Sequence, residues 1–136
     1  MRAAGIAVAT FVVLLNTLAI AQTGRDGQDC AALRKQAAEL CPKDALALAH
    51  HKGIPPANKV YPEAKISWTV LVNHDGFIEC VLDNSPAESW GRLHLMINTA
   101  KVLEDWRFKP YAFGGKKRPF ITKLTFFDDG KQVTVE

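Results

Sequence analysis

The 136-residue chain predicts an α+β fold, with a three-stranded antiparallel sheet, one main helix packed on a face of the sheet, and a short helical segment before them. Apolar residues alternate with period two over residues 66–72, as in a half-buried strand. They recur at helical spacing over residues 90–103. Asp-Gly pairs at 75–76 and 129–130 favour the tight turns that join antiparallel neighbours.

The first 21 residues have the three parts of a secretory signal peptide. A basic start at Arg2 precedes an apolar run over residues 5–18, and the small-residue site Ala19-Ile20-Ala21 follows before Gln22. We therefore expect cleavage before Gln22 and export from the cytoplasm. The apolar run is shorter than the roughly 20 residues that a spanning helix needs. An uncleaved anchor in the inner membrane is the alternative.

Charge and length exclude several function classes. The chain carries 17 Lys and Arg against 14 Asp and Glu. It therefore lacks the dense basic face typical of proteins that bind nucleic acid or a lipid surface. No nucleic-acid partner is expected, and no stable membrane insertion once the leader is cleaved. Residues 22–136 suffice for one domain with a modest core.

Three cysteines, Cys30, Cys41 and Cys80, follow the leader, and export would permit one disulfide bond. One helix over residues 29–40 would hold Cys30 and Cys41 about 16 Å apart at ~1.5 Å per residue, too far for a bond between them. A bond to Cys80 would pin the amino-terminal segment to the main domain. The alternative is that all three are free or buried thiols, because connectivity does not follow from sequence.

The segment between leader and main domain has two parts. A short helical pattern begins at Asp29 and ends at Pro42. Residues 52–62 hold three prolines and a glycine, which favour an extended connector. The chain is thus divided into a signal peptide (1–21), an amino-terminal helical segment with its connector (22–58) and a main domain (59–136).

The main domain opens with a β-hairpin and a helix. The first strand reaches the turn His74-Asp75-Gly76, and a second strand returns through Leu82. Ser85-Pro86-Ala87-Glu88 then offers a capping serine, a proline at the first helical position and a glutamate three residues after the cap. We expect the helix to pack on the hairpin through one apolar stripe, which consists of Trp90, Leu93, Met96, Ile97, Ala100 and Leu103.

The remaining strands follow the helix. Trp106-Arg107-Phe108-Lys109-Pro110 ends the helix and Gly114-Gly115 turns the chain. Residues 120–127 have the composition of a third strand, and Asp129-Gly130 introduces a candidate short fourth strand over residues 133–135. The aromatic side chains of the segment after the helix are expected in the core rather than at a ligand.

Through these residues the main domain resembles the carboxy-terminal domain of the TonB energy-transducer family. The order hairpin, helix, glycine turn and strand is shared, and the tryptophan-to-proline segment is the most specific match. Further matching residues are Tyr61-Pro62, Asp75-Gly76, Gly115-Lys116, Leu124-Thr125-Phe126 and Asp129-Gly130.

The resemblance implies a periplasmic protein-binding domain. In this family the last main strand is an open sheet edge, to which a short peptide of an outer-membrane receptor adds as a further strand. The same edge would allow a second copy to pair. The implied partner site consists of Tyr61, Ile121, Thr122, Lys123, Leu124, Thr125, Phe126 and Phe127. The implied structural motif consists of Trp106, Arg107, Phe108 and Pro110.

Two departures separate the chain from the family's transducers. No histidine precedes His50, and no long proline-rich spacer is present, so energy coupling is not expected. An uncleaved, inner-membrane transducer subunit that faces the periplasm is the second hypothesis.

Catalysis and metal binding have little support in the sequence. There is no nucleophile elbow, glycine-rich phosphate loop or His-Glu-x-x-His pattern. The spacing of Cys41, His50 and His51 matches no standard zinc pattern. No enzyme activity, cofactor or metal is therefore predicted, and a small secreted hydrolase is the weakest hypothesis.

Overall fold

The computed structural model describes residues 23–136 and has an α+β fold, as the sequence predicts. The predicted signal peptide over residues 1–21 lies outside the described residues. In chain order the elements are α1 (Cys30–Gln36), β1 (Ala38–Glu39), α2 (Pro42–Leu48), β2 (Ala49–His51), β3 (Ala64–Val72), β4 (Ile78–Asn84), α3 (Trp90–Leu103), β5 (Arg107–Phe108), β6 (Tyr111–Phe113), β7 (Lys116–Arg118), β8 (Phe120–Asp128) and β9 (Val133–Val135).

The main sheet has five strands, so the predicted number of three, with a candidate fourth, is too low. β3 lies at its centre and pairs antiparallel with β8 over nine residue pairs and with β4 along its other edge. The candidate fourth strand is present as β9 and pairs with β8. The extra strand is β1, which comes from the amino-terminal segment. Two residues are too few to show the period-two pattern by which strands are recognised.

The hairpin between β3 and β4 is held by a buried asparagine. The side-chain oxygen of Asn73 accepts hydrogen bonds from the main-chain N–H groups of Asp75 and Phe77. Gly76 has a φ of 89°, and a Cβ there would collide with the carbonyl of Phe108. The predicted Asp-Gly turn is therefore required both by backbone conformation and by close packing.

The main helix begins four residues later than the sequence predicts. Ser89, rather than Ser85, is the N-cap of α3, and its hydroxyl accepts from the N–H of Arg92 at 3.2 Å. Ser85 instead extends the hairpin, because its N–H donates to the carbonyl of Ser67 and its hydroxyl accepts from the Ser67 N–H. Ser85 therefore takes part in strand pairing and does not cap the helix.

The stripe that faces the sheet only partly matches the predicted one, with which it shares Leu103 and the partly buried Met96. Leu95, Thr99 and Leu103 are buried, whereas Trp90 is 66% exposed and Ile97 44% exposed. Thr99 explains the difference, because its hydroxyl accepts from the indole Nε1 of Trp68 at 2.8 Å and donates to the carbonyl of Leu95. Because a polar residue lies at the centre of the buried stripe, the apolar residues of the sequence do not mark the face that contacts the sheet.

The two faces of the sheet differ in what covers them. We call the face under α2 and α3 the core face. Its buried cluster includes Trp68, Trp106, Phe108, Phe120 and Phe126. The opposite face, here called the second face, is covered by α1 through a smaller cluster, which consists of Cys30, Leu33, Leu71, Cys80 and Ile121. A disulfide bond joins Cys30 in α1 to Cys80 in β4.

Two small two-stranded sheets complete the architecture. β2 pairs with β5, and β6 pairs with β7 through the glycine turn. Within residues 23–136, no helix has the length and apolar character needed to cross a membrane.

Candidate functional site

The candidate site is the outer edge of β8, meaning the edge that faces away from β3. Two short strands from distant parts of the chain already lie on it. β1 pairs in parallel with Phe120 and Ile121. β9 pairs antiparallel with Phe126, Phe127 and Asp128. The edge thus carries a parallel strand at one end and an antiparallel strand at the other.

Main-chain hydrogen bonds close both ends of this edge. Leu40 donates its N–H to the carbonyl of Ile121 at 3.4 Å. Thr125 and Glu136 exchange two bonds, of 2.8 and 2.9 Å. The edge that the resemblance implies to be open from Ile121 to Phe127 is therefore largely paired, because segments outside the predicted three-stranded core fold back onto it.

Lys123 lies in the gap between the two added strands. In an antiparallel pair, residues two apart direct their main-chain groups to the same side. Lys123 therefore directs its N–H and C=O to the outer edge, as Thr125 does. Among residues 23–136, no strand pairs with Lys123 on that side. The gap offers one main-chain donor and one acceptor, beside an exposed ammonium side chain.

The other predicted strand residues divide between the two faces. Thr122, Leu124 and Phe126 are buried towards the core face, and Ile121 is buried under α1 on the second face. Thr125 is half-buried on the second face, where its hydroxyl lies 3.0 Å from that of Ser67. These side chains belong to the fold, so any partner contact along β8 would be made mainly through the backbone, Lys123 and the exposed Phe127.

Tyr61 packs against α3. Its ring stacks on His94 with 5.2 Å between the centroids, and its Cβ lies against Gly91. Its N–H donates to the side chain of Asn58, whose own N–H donates to Asp128 at the end of β8. Within residues 23–136, no hydrogen bond or ring contact joins Tyr61 to β8. Its contribution to a partner site remains a prediction.

A basic strand lies beside the start of β8. Lys116 and Lys117 in β7 are exposed. Arg118 has a structural contact, because its guanidinium donates to the carbonyl of Gln36 just before β1. The exposed carboxylates of Glu39 and Glu136 border the same edge on either side of Lys123, so its charge is mixed.

A tightly bonded turn joins β8 to β9. Asp128 is buried and accepts from the N–H groups of Asn58 and Gly130. Asp129 accepts from the N–H groups of Lys131 and Gln132. The bond from Gln132, followed by that from Lys131, lowers the pKa of Asp129 below its ordinary value. The turn is therefore stabilised by local contacts that do not depend on β9 itself.

The opposite edge of the sheet, along β4, is less suited to a partner strand. The pairing of β4 with β3 is interrupted by two register shifts. Near its start, the carbonyl of Glu79 accepts from the N–H of Arg25. Bulges and short edges are common means of protecting a sheet from further pairing.

Other surface features supply no comparable arrangement. A mainly apolar cavity of about 320 Å³ lies between α3 and β4, where both carboxylate oxygens of Glu79 are bonded to Asn73 and to the N–H of Asp26. The thiol of Cys41 is exposed and lies 2.7 Å from Asp44. Within residues 23–136, no cluster of three or more His, Cys, Asp and Glu is placed to hold a metal ion.

The sequence predicts Lys123 as one of the partner-site residues but does not distinguish it from its neighbours on the strand. The gap exists only because residues 38–40 and 133–136, nearly a hundred positions apart, reach the same strand. Comparison of the chain with protein-family models, curated proteins and solved structures finds no match.

Proposed function

We propose that this chain is an exported protein-binding module of the cell envelope, which recognises an extended peptide by β-strand addition at the outer edge of β8. The supporting observation is the unpaired main chain of Lys123 between two strands already added to that edge. In strand addition, main-chain hydrogen bonds provide affinity and alternate side chains provide specificity.

Two further features support the proposal. The disulfide between Cys30 and Cys80 fits a protein that folds in an oxidising compartment. The resemblance to TonB carboxy-terminal domains points to an outer-membrane transport component as the source of the peptide.

The test uses photo-crosslinking inside the cell of origin. A photoreactive phenylalanine analogue replaces Phe127, which is exposed next to the edge. We compare three backgrounds: the native Lys123, Lys123→Ala and Lys123→Pro. Alanine keeps the outward N–H, whereas proline removes it without breaking a hydrogen bond of the fold. A probe in place of Ile97, on the exposed side of α3, is the positional control.

We expect capture of an envelope protein through an extended segment, with similar yield in the native and Lys123→Ala backgrounds and at least tenfold less in Lys123→Pro. Circular dichroism and thermal unfolding would establish that the proline variant is folded. Equal capture by a folded Lys123→Pro protein would contradict strand addition. Capture of only a second copy of the chain would contradict recognition of a separate partner.

A further inference from the structure

We infer that β9 occupies the position that the partner strand takes, and that the partner is an antiparallel extended segment with the side-chain alternation of β9. The inference rests on the proposed function, that is, on strand addition at the outer edge of β8. The gap at Lys123 offers only two main-chain groups, so a partner strand of several residues must replace β1 or β9.

β1 is anchored on both sides. Before it, α1 is joined to β4 by the Cys30–Cys80 disulfide and buries Leu33 against the second face. After it, α2 buries Ala45 in the main core. The side chain of Arg118 also donates to the carbonyl of Gln36, beside β1. Moving β1 away from the edge would disturb these contacts together.

β9 is held at the edge by its own pairing and by Val133, which lies in the main core, and unlike β1 it does not directly follow a disulfide-linked helix. Its strand pairing is with β8 alone. Val133 is 8% exposed and Val135 is half-buried against the core, whereas Thr134 is exposed. The turn that precedes β9 is closed by its own hydrogen bonds at Asp129. The turn would keep these bonds without β9, so a strand that fills the places of its two valines would replace β9 while β8 and the rest of the sheet stay in place.

The positions of β9 define the chemistry of the strand that would replace it. Two alternate residues must be apolar and β-branched, because they fill the places of Val133 and Val135 against the core. The residue between them faces solvent beside Phe127 and can be polar. A strand that continues two positions beyond the place of Glu136 comes opposite Lys123. An acidic side chain there would form a cross-strand charge pair.

The test combines a peptide with a variant in which β9 is locked. The peptide carries residues 132–136 followed by Thr-Glu, so that it can reach Lys123. The locked variant is Phe127→Cys/Thr134→Cys in a Cys41→Ser background. Positions 127 and 134 are directly opposite in a hydrogen-bonded pair, at a Cα separation of about 5.5 Å that suits a disulfide. Its matched control is Phe127→Ser/Thr134→Ser in the same background.

Binding is followed by NMR titration, and hydrogen exchange is measured at the Lys123 amide. We expect the native and serine proteins to bind the peptide and to protect the Lys123 amide. We expect the oxidised locked variant to bind at least tenfold more weakly. A peptide of the same composition with its two valines adjacent cannot place both against the core, and we expect at least tenfold weaker binding.

The outcomes separate this inference from the proposed function. Undiminished binding by the locked variant, with protection of Lys123, would overturn the displacement of β9 while leaving strand addition intact. Equal binding of the two peptides, or no binding of the β9-like peptide to the native protein, would overturn the stated partner chemistry. Failure of the proposed function would appear instead as undiminished photo-capture in the folded Lys123→Pro protein.

Discussion

The two faces of the sheet are stabilised in different ways. On the core face, aromatic rings contact one another: 5.7 Å separates the ring centroids of Trp106 and Phe108, and 5.5 Å those of Phe108 and Phe120. On the second face, one disulfide and a small cluster hold α1, and the remaining strand surface carries hydroxyl groups such as those of Ser67 and Thr125. The core face depends on a large buried cluster, whereas the second face depends on a covalent bond, a small apolar cluster and partly buried polar contacts.

This difference bears on how the sheet could bind a partner without unfolding. The interior on the core face is continuous and spans β3, β8 and the segment after α3. The second face is covered by α1, and the outer edge of β8 by β1 and β9. Substitutions can alter each of these short segments separately. Substitutions on the two faces should therefore have unequal effects on the free energy of unfolding. Four predictions compare a substitution with a matched control.

The largest loss of stability is expected from Trp106→Ala on the core face. The indole is fully buried and donates to the carbonyl of Gly53 at 2.9 Å. Removal of a buried tryptophan costs about 3 to 5 kcal/mol of the free energy of unfolding. Trp90→Ala is the control, because Trp90 is largely exposed and its loss should cost under about 0.5 kcal/mol. Urea unfolding measures both, and similar losses would contradict the described orientation of α3.

The next largest effect is expected from removal of the disulfide on the second face. The double change Cys30→Ala/Cys80→Ala should lower stability by about 2 to 4 kcal/mol, because the bond closes a loop with a sequence separation of 50. Cys41→Ser is the control, since that thiol is free and exposed. Hydrogen exchange should show faster opening of α1 than of β3 and β8 in the double variant. Equal opening of all three would show that α1 and the sheet unfold as one unit.

The contrast between the faces also shows what could be predicted from the sequence. The α+β class and the hairpin follow from local signals, namely the period-two run in β3 and the Asp-Gly turn. The orientation of α3 does not, because Thr99 takes a core position through its bond to Trp68. The predicted start of α3 is wrong for a similar reason, since Ser85 bonds to the neighbouring strand.

From the sequence, the candidate site can be predicted as a strand, but not which of its main-chain groups are unpaired. Its composition marks residues 120–127 as β-structure, and the TonB resemblance suggested that this strand binds a partner. Which of its main-chain groups are unpaired depends on β1 and β9, which are two and three residues long. Such short segments gain their structure from tertiary contacts rather than from their own sequence pattern.

A smaller effect is expected when the buried hydroxyl of the core face is removed. Thr99→Val keeps the size of the side chain but leaves the indole N–H of Trp68 without its acceptor. An unsatisfied buried donor costs about 1 to 3 kcal/mol. Thr99→Ser is the control, because it keeps the hydroxyl and loses only a methyl group. If the valine variant were the more stable of the two, the hydrogen bond to Trp68 would not be what places Thr99 in the core.

The smallest effect is expected from the same chemical change on the second face. Thr125→Val removes the hydroxyl that lies 3.0 Å from that of Ser67, but the pair is only partly buried. Water can replace the lost partner, and valine suits a strand position, so the free energy of unfolding should change by no more than about 0.5 kcal/mol. Thermal and urea unfolding of Thr99→Val and Thr125→Val, measured side by side, compare the two faces through an identical substitution. A loss at Thr125 as large as that at Thr99 would mean that the hydroxyls of the second face are closed to water, and that this face resists opening as strongly as the core face does.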